Sequence, residues 1–183
     1  MLKALLAFAA AAVLLAIPAQ AVTCVYCLCD YAVNGGFSSS SGWTFSNCGL
    51  GAYCGRVQQT APCGIYTWMA HISYPGTNVK MQQFTFPADA GPNFYLEFEV
   101  MAPSIPGTYY DELKAYVKDV STGVTDLVGI VRGSQLTSGC QSFSFQTTKS
   151  YAGKTVELKF VTGSLSAITW YLDDVRFWEG TIC

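Results

Sequence analysis

Short runs in which apolar and polar residues alternate are the feature that most limits what this chain can fold into. The clearest are YLEFEV at residues 95–100, ELKAYVK at 112–118 and TVELKF at 155–160. Successive side chains of a β-strand point to opposite faces, so each run predicts a strand with one buried and one wet face. No stretch of helical period and comparable length competes with these runs in residues 22–183.

Turn signals rich in proline and glycine separate these runs, for example at residues 75–76, 90–92 and 106–107. Many short antiparallel strands with one wet face each are typical of a β-sandwich. We therefore predict an all-β fold of two antiparallel sheets. The predicted strands are residues 53–59, 65–73, 79–86, 94–101, 110–120, 126–132, 141–147, 155–162 and 168–178.

The first 21 residues have the pattern of a secretory signal peptide. Lys3 precedes a long apolar stretch, which ends in Pro18 and the small-residue exit Ala19-Gln20-Ala21. The stretch is long enough to make a membrane anchor the competing interpretation, but the exit motif favours cleavage after Ala21. We therefore expect one secreted domain at residues 22–183 and no membrane span after cleavage.

All eight cysteines follow the predicted cleavage site. An even number in an exported chain predicts four disulfides, and eight cysteines allow 105 pairings, so no connectivity is assigned. A zinc site at the first three cysteines is the alternative, which an oxidising compartment disfavours. The predicted disulfide residues are Cys24, Cys27, Cys29, Cys48, Cys54, Cys63, Cys140 and Cys183.

Composition narrows the range of partners. The net charge of the chain is −2 and only 12% of residues are charged, with no basic patch. This composition disfavours nucleic acid as a partner. No phosphate-binding loop or dinucleotide motif is present.

Three segments resemble extracellular carbohydrate-binding modules with the galactose-binding-like jelly-roll fold. VNGGFSSSSGWTF (33–45) is similar to their NGGFE…GW opening, and MQQFTFPADAGPNFYLEFEV (81–100) fits the middle of the template. SYAGKTVELKFVTGSLSAITWYLDDVRF (150–177) resembles their closing two strands. The resemblance implies a jelly-roll β-sandwich over most of 33–178, but similar jelly rolls bind sugars, join proteins or decorate enzymes.

The resemblance also implies a structural calcium ion where the opening turn meets the last strand. Asp173 is predicted to be the inward ligand, because alternation places it in phase with Val175 and Phe177, and Asn34 is a further candidate. Ser38 stands where the family has a glutamate, so one charged ligand is missing. The alternative is that Asp173 accepts backbone hydrogen bonds at the strand ends.

Sugar binding needs aromatic rings for stacking and polar groups that fix hydroxyls. Alternation predicts that Tyr116 shares a polar face with Glu97 and Glu99, near Gln82 or Gln83, while rings at strand ends and loops contribute to a rim. These expectations give the predicted ligand-binding residues as Tyr116, Glu97, Glu99, Gln82, Tyr109, Tyr110 and Trp178.

Catalytic groups are scarce. His71 is the single histidine, and no G-x-S-x-G motif accompanies it. Glu97 and Glu99 have a spacing that a glycosidase pair can use, but alternating acids on a wet face are more often solvated or paired with lysines such as Lys114 and Lys118. We therefore predict that the protein is not an enzyme. The predicted function is recognition of extracellular glycan, and the alternative is a structural or adhesive protein of the cell surface or matrix with protein partners.

Overall fold

The computed structural model describes residues 23–25, 28–32, 34–39, 41–46, 54–59, 67–73, 78–81, 83–101, 108–137, 139–165 and 168–180. The predicted signal peptide lies outside this part of the chain. None of the residues described forms a helix with the length and apolar character that crossing a bilayer requires.

Strands dominate the described residues, which confirms the all-β prediction. A single turn of 3₁₀ helix, Gly133–Gln135, interrupts them. The strands are β1 Thr23–Val25, β2 Leu28–Asp30, β3 Trp43–Ser46, β4 Cys54–Gln59, β5 Thr67–Ile72, β6 Asn78–Met81, β7 Phe84–Thr85, β8 Asn93–Met101, β9 Glu112–Asp119, β10 Thr125–Arg132, β11 Cys140–Gln146, β12 Thr155–Thr162 and β13 Trp170–Gly180.

Two antiparallel sheets form the sandwich. In the first sheet, β13 pairs with β8 on one side, and β8 pairs in turn with β11. On its other side β13 pairs with β5 near its start and with β2 near its end, and β4 and β1 complete the sheet. The second sheet has the order β10-β9-β12-β6-β3, with β7 also on β12.

Alternation along the long strands builds the core between the sheets. Leu96, Phe98 and Val100 of β8 are buried against the inner face of the second sheet, where β9 contributes Leu113 and Val117. Removing each such side chain from water contributes about 1.5–3 kcal/mol. The polar residues between them therefore lie on the two outward faces of the sandwich.

The predicted strand boundaries needed some correction. The strand expected at 79–86 is two strands, β6 and β7. The strand expected at 110–120 begins at Glu112, because the Asp111 carboxylate accepts hydrogen bonds from the Thr108 amide (2.6 Å) and hydroxyl (2.7 Å) and closes a turn. The short strands β1, β2 and β3 were not predicted, since runs of three or four residues carry little periodicity.

The opening turn at residues 34–37 lies along β13, in the gap between β2 and β5. The Tyr31 amide donates to the Phe177 carbonyl (2.9 Å), and the Val175 amide donates to the Gly35 carbonyl (3.1 Å). The Phe177 amide donates to the Asp30 carboxylate (3.0 Å). The opening turn and the last strand therefore meet, as the resemblance implied.

A β-bulge interrupts β13 beside this turn. Asp173 opposes Glu99 and Arg176 opposes Glu97, so Asp174 and the residue after it face one residue of β8. Asp174 has a φ of 45°. Despite the bulge, Asp173, Val175 and Phe177 are all buried while Arg176 is exposed, so the predicted phase of Asp173 with the two apolar residues after it is confirmed. Its burial is confirmed, at 5% exposure.

Candidate functional site

The outward face of the first sheet contains a groove of about 320 Å³ over β8, β11 and β13. Its polar lining comes from alternate residues of three adjacent strands, which places these side chains on one face. Phe98 and Phe143 contribute to the floor. The polar lining residues are Glu97, Glu99, Ser142, Ser144, Asp174 and Arg176.

Hydrogen bonds fix the polar groups of the groove. The Ser144 hydroxyl donates to the Glu97 carboxylate (3.0 Å), and the Ser142 hydroxyl donates to the Glu99 carboxylate (3.4 Å). Arg176 donates to both oxygens of Asp174, from Nε at 3.2 Å and from Nη2 at 2.7 Å. Three carboxylates and one guanidinium line the groove. The formal net charge of these lining side chains is therefore −2.

A stacked aromatic pair continues the groove toward the end of β13. Tyr95 and Trp178 oppose each other across β8 and β13, with ring centroids 4.5 Å apart and planes inclined by 18°. Tyr95 also covers Gly180, where an added Cβ would lie 2.9 Å from the ring. Both rings are half-buried. They lie one pleat repeat, about 7 Å, beyond Glu97 and Arg176.

The outward side chains of β8 and β13 form a stripe along the sheet, and the end opposite the Tyr95–Trp178 pair carries a second aromatic group. Tyr171 of β13 opposes Met101 of β8 and His71 of β5, and the His71 and Tyr171 rings lie 5.1 Å apart. Burial raises the pKa of Tyr171, so its hydroxyl remains protonated at neutral pH. From Tyr95 to Met101 the stripe extends about 20 Å along β8. We call this surface, from the Tyr95–Trp178 pair to Tyr171, the groove face.

The structure separates the predicted ligand-binding residues. Glu97, Glu99 and Trp178 lie on the groove face. Tyr116 lies on β9, where it opposes Leu127 and Lys159 on the outward face of the second sheet. The prediction that Tyr116 shares a face with Glu97 and Glu99 is therefore wrong, because the two sheets turn their outward faces in opposite directions.

The expected lysine partners of Glu97 and Glu99 are also on the second sheet. Lys114 pairs with Glu112 at 2.9 Å, and Lys118 opposes Glu157. The predicted pairing of Glu97 and Glu99 with these two lysines is therefore wrong, and the alternative that the two acids are solvated stays open.

The remaining predicted ligand-binding residues lie elsewhere. Tyr109 and Tyr110 are 60% and 66% exposed in the turn before β9, and Arg132 lies 4.5 Å over the Tyr109 ring. They form a rim of the second sheet and do not line the groove. Gln82 lies outside the described residues.

Several groove residues were not predicted as site residues. They are Asp174, Arg176, Ser142, Ser144 and Tyr95. Alternation gives their outward direction, but it does not show that β11, β8 and β13 are neighbours. That adjacency comes from pairing between distant segments.

The residues predicted to hold calcium fit the ion poorly. The Asn34 Oδ1 atom already accepts from the Ser38 hydroxyl (2.9 Å) and the Ser39 amide (3.2 Å). The Arg56 guanidinium donates to the Ser38 carbonyl (3.2 Å), which brings a fixed positive charge to the turn. Within the described residues, no three histidine, cysteine or acidic side chains converge as metal ligands. Calcium takes about six to eight oxygens, so no role is assigned to a metal.

The predicted disulfides stay a prediction. Cys27, Cys48, Cys63 and Cys183 lie outside the described residues. Cys24 and Cys29 oppose each other across β1 and β2.

Comparison with known proteins gives matches in structure alone. No protein-family model matches the chain, and no curated protein matches it. The xylan-binding module CBM15 superposes with a TM-score of 0.59 at 10% identity, over 85% of this chain and 98% of that one. TmCBM61, solved in complex with β-1,4-galactotriose, gives 0.55 at 18% identity, over 82% and 99%.

An enzyme fragment also matches. The enzymatically active domain of tailspike protein 4 of bacteriophage CBA120 gives a TM-score of 0.58 at 14% identity over 81% of this chain. This chain covers only 21% of the tailspike domain. At these identities the matches show the fold: the chain has the jelly-roll fold of carbohydrate-binding modules, as the resemblance implied.

Proposed function

We propose that this protein is a secreted, non-catalytic recognition module that binds extracellular polysaccharide along the groove face. The observation that carries the proposal is the groove itself, where charged and hydroxyl groups lie directly beside the stacked Tyr95–Trp178 pair. Sites for sugars combine aromatic surface with a few fixed polar groups.

Each part of the groove face has a chemical task in this proposal. The exposed parts of the Tyr95 and Trp178 rings pack against the apolar face of a sugar. Carboxylates accept hydrogen bonds from sugar hydroxyls, and Arg176 donates them. The groups are already held by hydrogen bonds within the sheet, so little ordering is needed on binding. An open groove of this size gives modest affinity, which repeated ligand sites raise through avidity.

Structural neighbours support the choice of ligands to test first. One is named as a xylan-binding module and another was solved with β-1,4-galactotriose. The chain covers nearly all of both, whereas it covers only a small part of the enzyme domain. This contrast favours binding over catalysis, and no catalytic step is proposed.

Export is part of the proposal. The leader at residues 1–21 and the eight cysteines that follow it support a secreted, disulfide-bonded domain at 22–183. The intact mass of the exported protein, measured before and after reduction and alkylation, tests cleavage and disulfide content together.

A retention assay on insoluble xylan and β-1,4-galactan tests the binding proposal. We expect Trp178→Ala to weaken retention about tenfold, a loss of about 1.4 kcal/mol, because it removes the stacking surface. Tyr116→Ala is the matched control, since it removes an aromatic side chain from the outward face of the second sheet. Equal losses in the two variants, or no retention of the wild-type protein, would contradict the proposal.

The second candidate is an adhesive or structural protein. The exposed side chains of Tyr109, Tyr110 and Leu127 on the second sheet favour it, because they leave apolar surface in solvent. Self-association in sedimentation velocity runs that Tyr110→Ser abolishes, together with no glycan retention, would select this candidate instead.

A further inference from the structure

Asp174 pairs with Arg176, the one cationic side chain among the described residues that line the groove. Its carboxylate accepts two hydrogen bonds from Arg176, and the contact is bidentate. Asp174 lies in the β-bulge with a φ of 45°, and its carboxylate pairs with Arg176 two positions along the same strand. The positive charge of Arg176 is therefore already compensated within the groove.

Glu97 and Glu99 form no ion pair with a described side chain, although Glu97 opposes Arg176 across β8 and β13. Their described partners are the neutral hydroxyls of Ser144 and Ser142, and no described lysine or arginine forms an ion pair with either one. The two carboxylates alternate on one strand, so they lie about 7 Å apart on the same face. A ligand in the groove therefore meets two negative charges beside a neutralised arginine.

We propose that the groove selects glycans without acidic groups, and that Asp174 is a residue that determines this specificity. A uronate or sulfate in the groove would lie against Glu97 and Glu99, and the positive charge of Arg176 is already balanced by Asp174. Neutral sugars avoid this repulsion and still hydrogen-bond to the carboxylates. This inference rests on the proposed function and adds the class of glycan.

Salt screens electrostatic repulsion in an open groove, so the dependence of the selectivity on salt concentration is a second test of the proposal. The Debye length is about 30 Å at 0.01 M ionic strength and about 8 Å at 0.15 M. Discrimination by charge should therefore be large in dilute buffer and smaller at high salt. Discrimination by shape alone would not change.

Affinity electrophoresis of the full exported protein supplies the test. The gels contain xylan or β-1,4-galactan in one set, and carboxymethyl derivatives of the same polymers in the other. We expect the wild-type protein to bind the carboxymethyl polymers about three- to tenfold more weakly at low salt. The difference should narrow as salt is added.

Two substitutions test the roles of Asp174 and Glu97 in this selectivity. Asp174→Asn keeps a residue type that tolerates positive φ, but it removes one charge and releases Arg176. Glu97→Gln removes one charge and leaves Arg176 paired. Both substitutions should reduce the ratio of the affinity for the neutral polymer to the affinity for its carboxymethyl derivative. Asp174→Asn should reduce this ratio more. Glu157→Gln is the control, because it makes the same change in net charge on the outward face of the second sheet.

Every outcome is decisive. Equal affinity of the wild-type protein for neutral and carboxymethyl polymers would overturn the selectivity and leave the proposed function intact. The same holds if Glu157→Gln shifts the ratio as much as Asp174→Asn, since the effect would then come from overall charge. No retardation by either neutral polymer would remove the proposed function, and the selectivity with it.

Discussion

At the scale of single residues, the opening turn shows what the sequence specifies and what it hides. The Asn34-Gly35-Gly36 stretch predicts a turn from composition alone. The structure adds that only one of its glycines is sterically required. A Cβ on Gly35 would lie 1.9 Å from the Val175 carbonyl oxygen, whereas the nearest atom to a Cβ on Gly36 is Asp173 Oδ1 at 3.9 Å. No pattern within the turn distinguishes the two.

Gly35→Ala is therefore expected to destabilise the protein by about 1–3 kcal/mol, because β13 or the turn must move to admit a methyl group. Gly36→Ala, a matched change one residue away, should alter stability far less. The free energy of unfolding in urea distinguishes them. Equal stability of the two variants would mean that the turn does not lie against β13 as described.

Asp119 gives a prediction for pH. Its carboxylate accepts a hydrogen bond from the Ser121 hydroxyl (2.6 Å) and pairs with Lys154 (3.0 Å). These contacts hold the pKa of Asp119 well below its ordinary value of 3.8. A lowered pKa in the folded state stabilises the protein above pH 3.8, and this contribution is lost as the pH falls below that value.

The variant Asp119→Asn should accordingly be less stable than wild type at pH 6, with a difference that narrows as the pH falls from about 4 toward 2. Urea unfolding of both proteins across this range measures it. A difference that stays constant with pH would show that the ionised carboxylate is not what stabilises this turn.

At the scale of elements, periodicity predicted the long strands and missed the local features. The alternating runs in β8, β9, β11 and β12 locate strands correctly because each buries one whole face. In β13 the same reasoning correctly placed Asp173 in phase with the buried Val175 and Phe177, but it did not predict the bulge at Asp174. The bulge depends on how β13 pairs with β8 and contacts the opening turn, and the residues of β13 alone do not predict either contact.

The contact between the opening turn and β13 also gives an expectation for metal. The Asn34 side chain donates to the Ser39 and Ser41 carbonyls, and Arg56 donates to the Ser38 carbonyl. These bonds hold the turn without an ion. The melting midpoint should therefore be the same with calcium and with a chelator, since a bound ion would stabilise the folded state. A midpoint that falls on chelation would restore the calcium site at Asp173.

At the scale of the whole molecule, the architecture could be predicted while the composition of each outward face could not. Alternation assigns each side chain to the core or to solvent, and that was enough to predict a two-layer sandwich. It does not say which sheet a strand joins, because that depends on pairing between distant segments. Tyr116 and Glu97 both face solvent, as predicted, but from opposite sheets.

The central claim is that glycan lies along the groove face, and a map of ligand-induced NMR shifts tests it most directly. The labelled protein is titrated with xylohexaose and, separately, with β-1,4-galactotriose. We predict that the Trp178 indole and the amides of Tyr95, Glu97 and Arg176 shift with ligand, while those of Tyr116 and Lys159 stay in place. Shifts centred on Tyr116 and Lys159, or no shift with either sugar, would contradict the account.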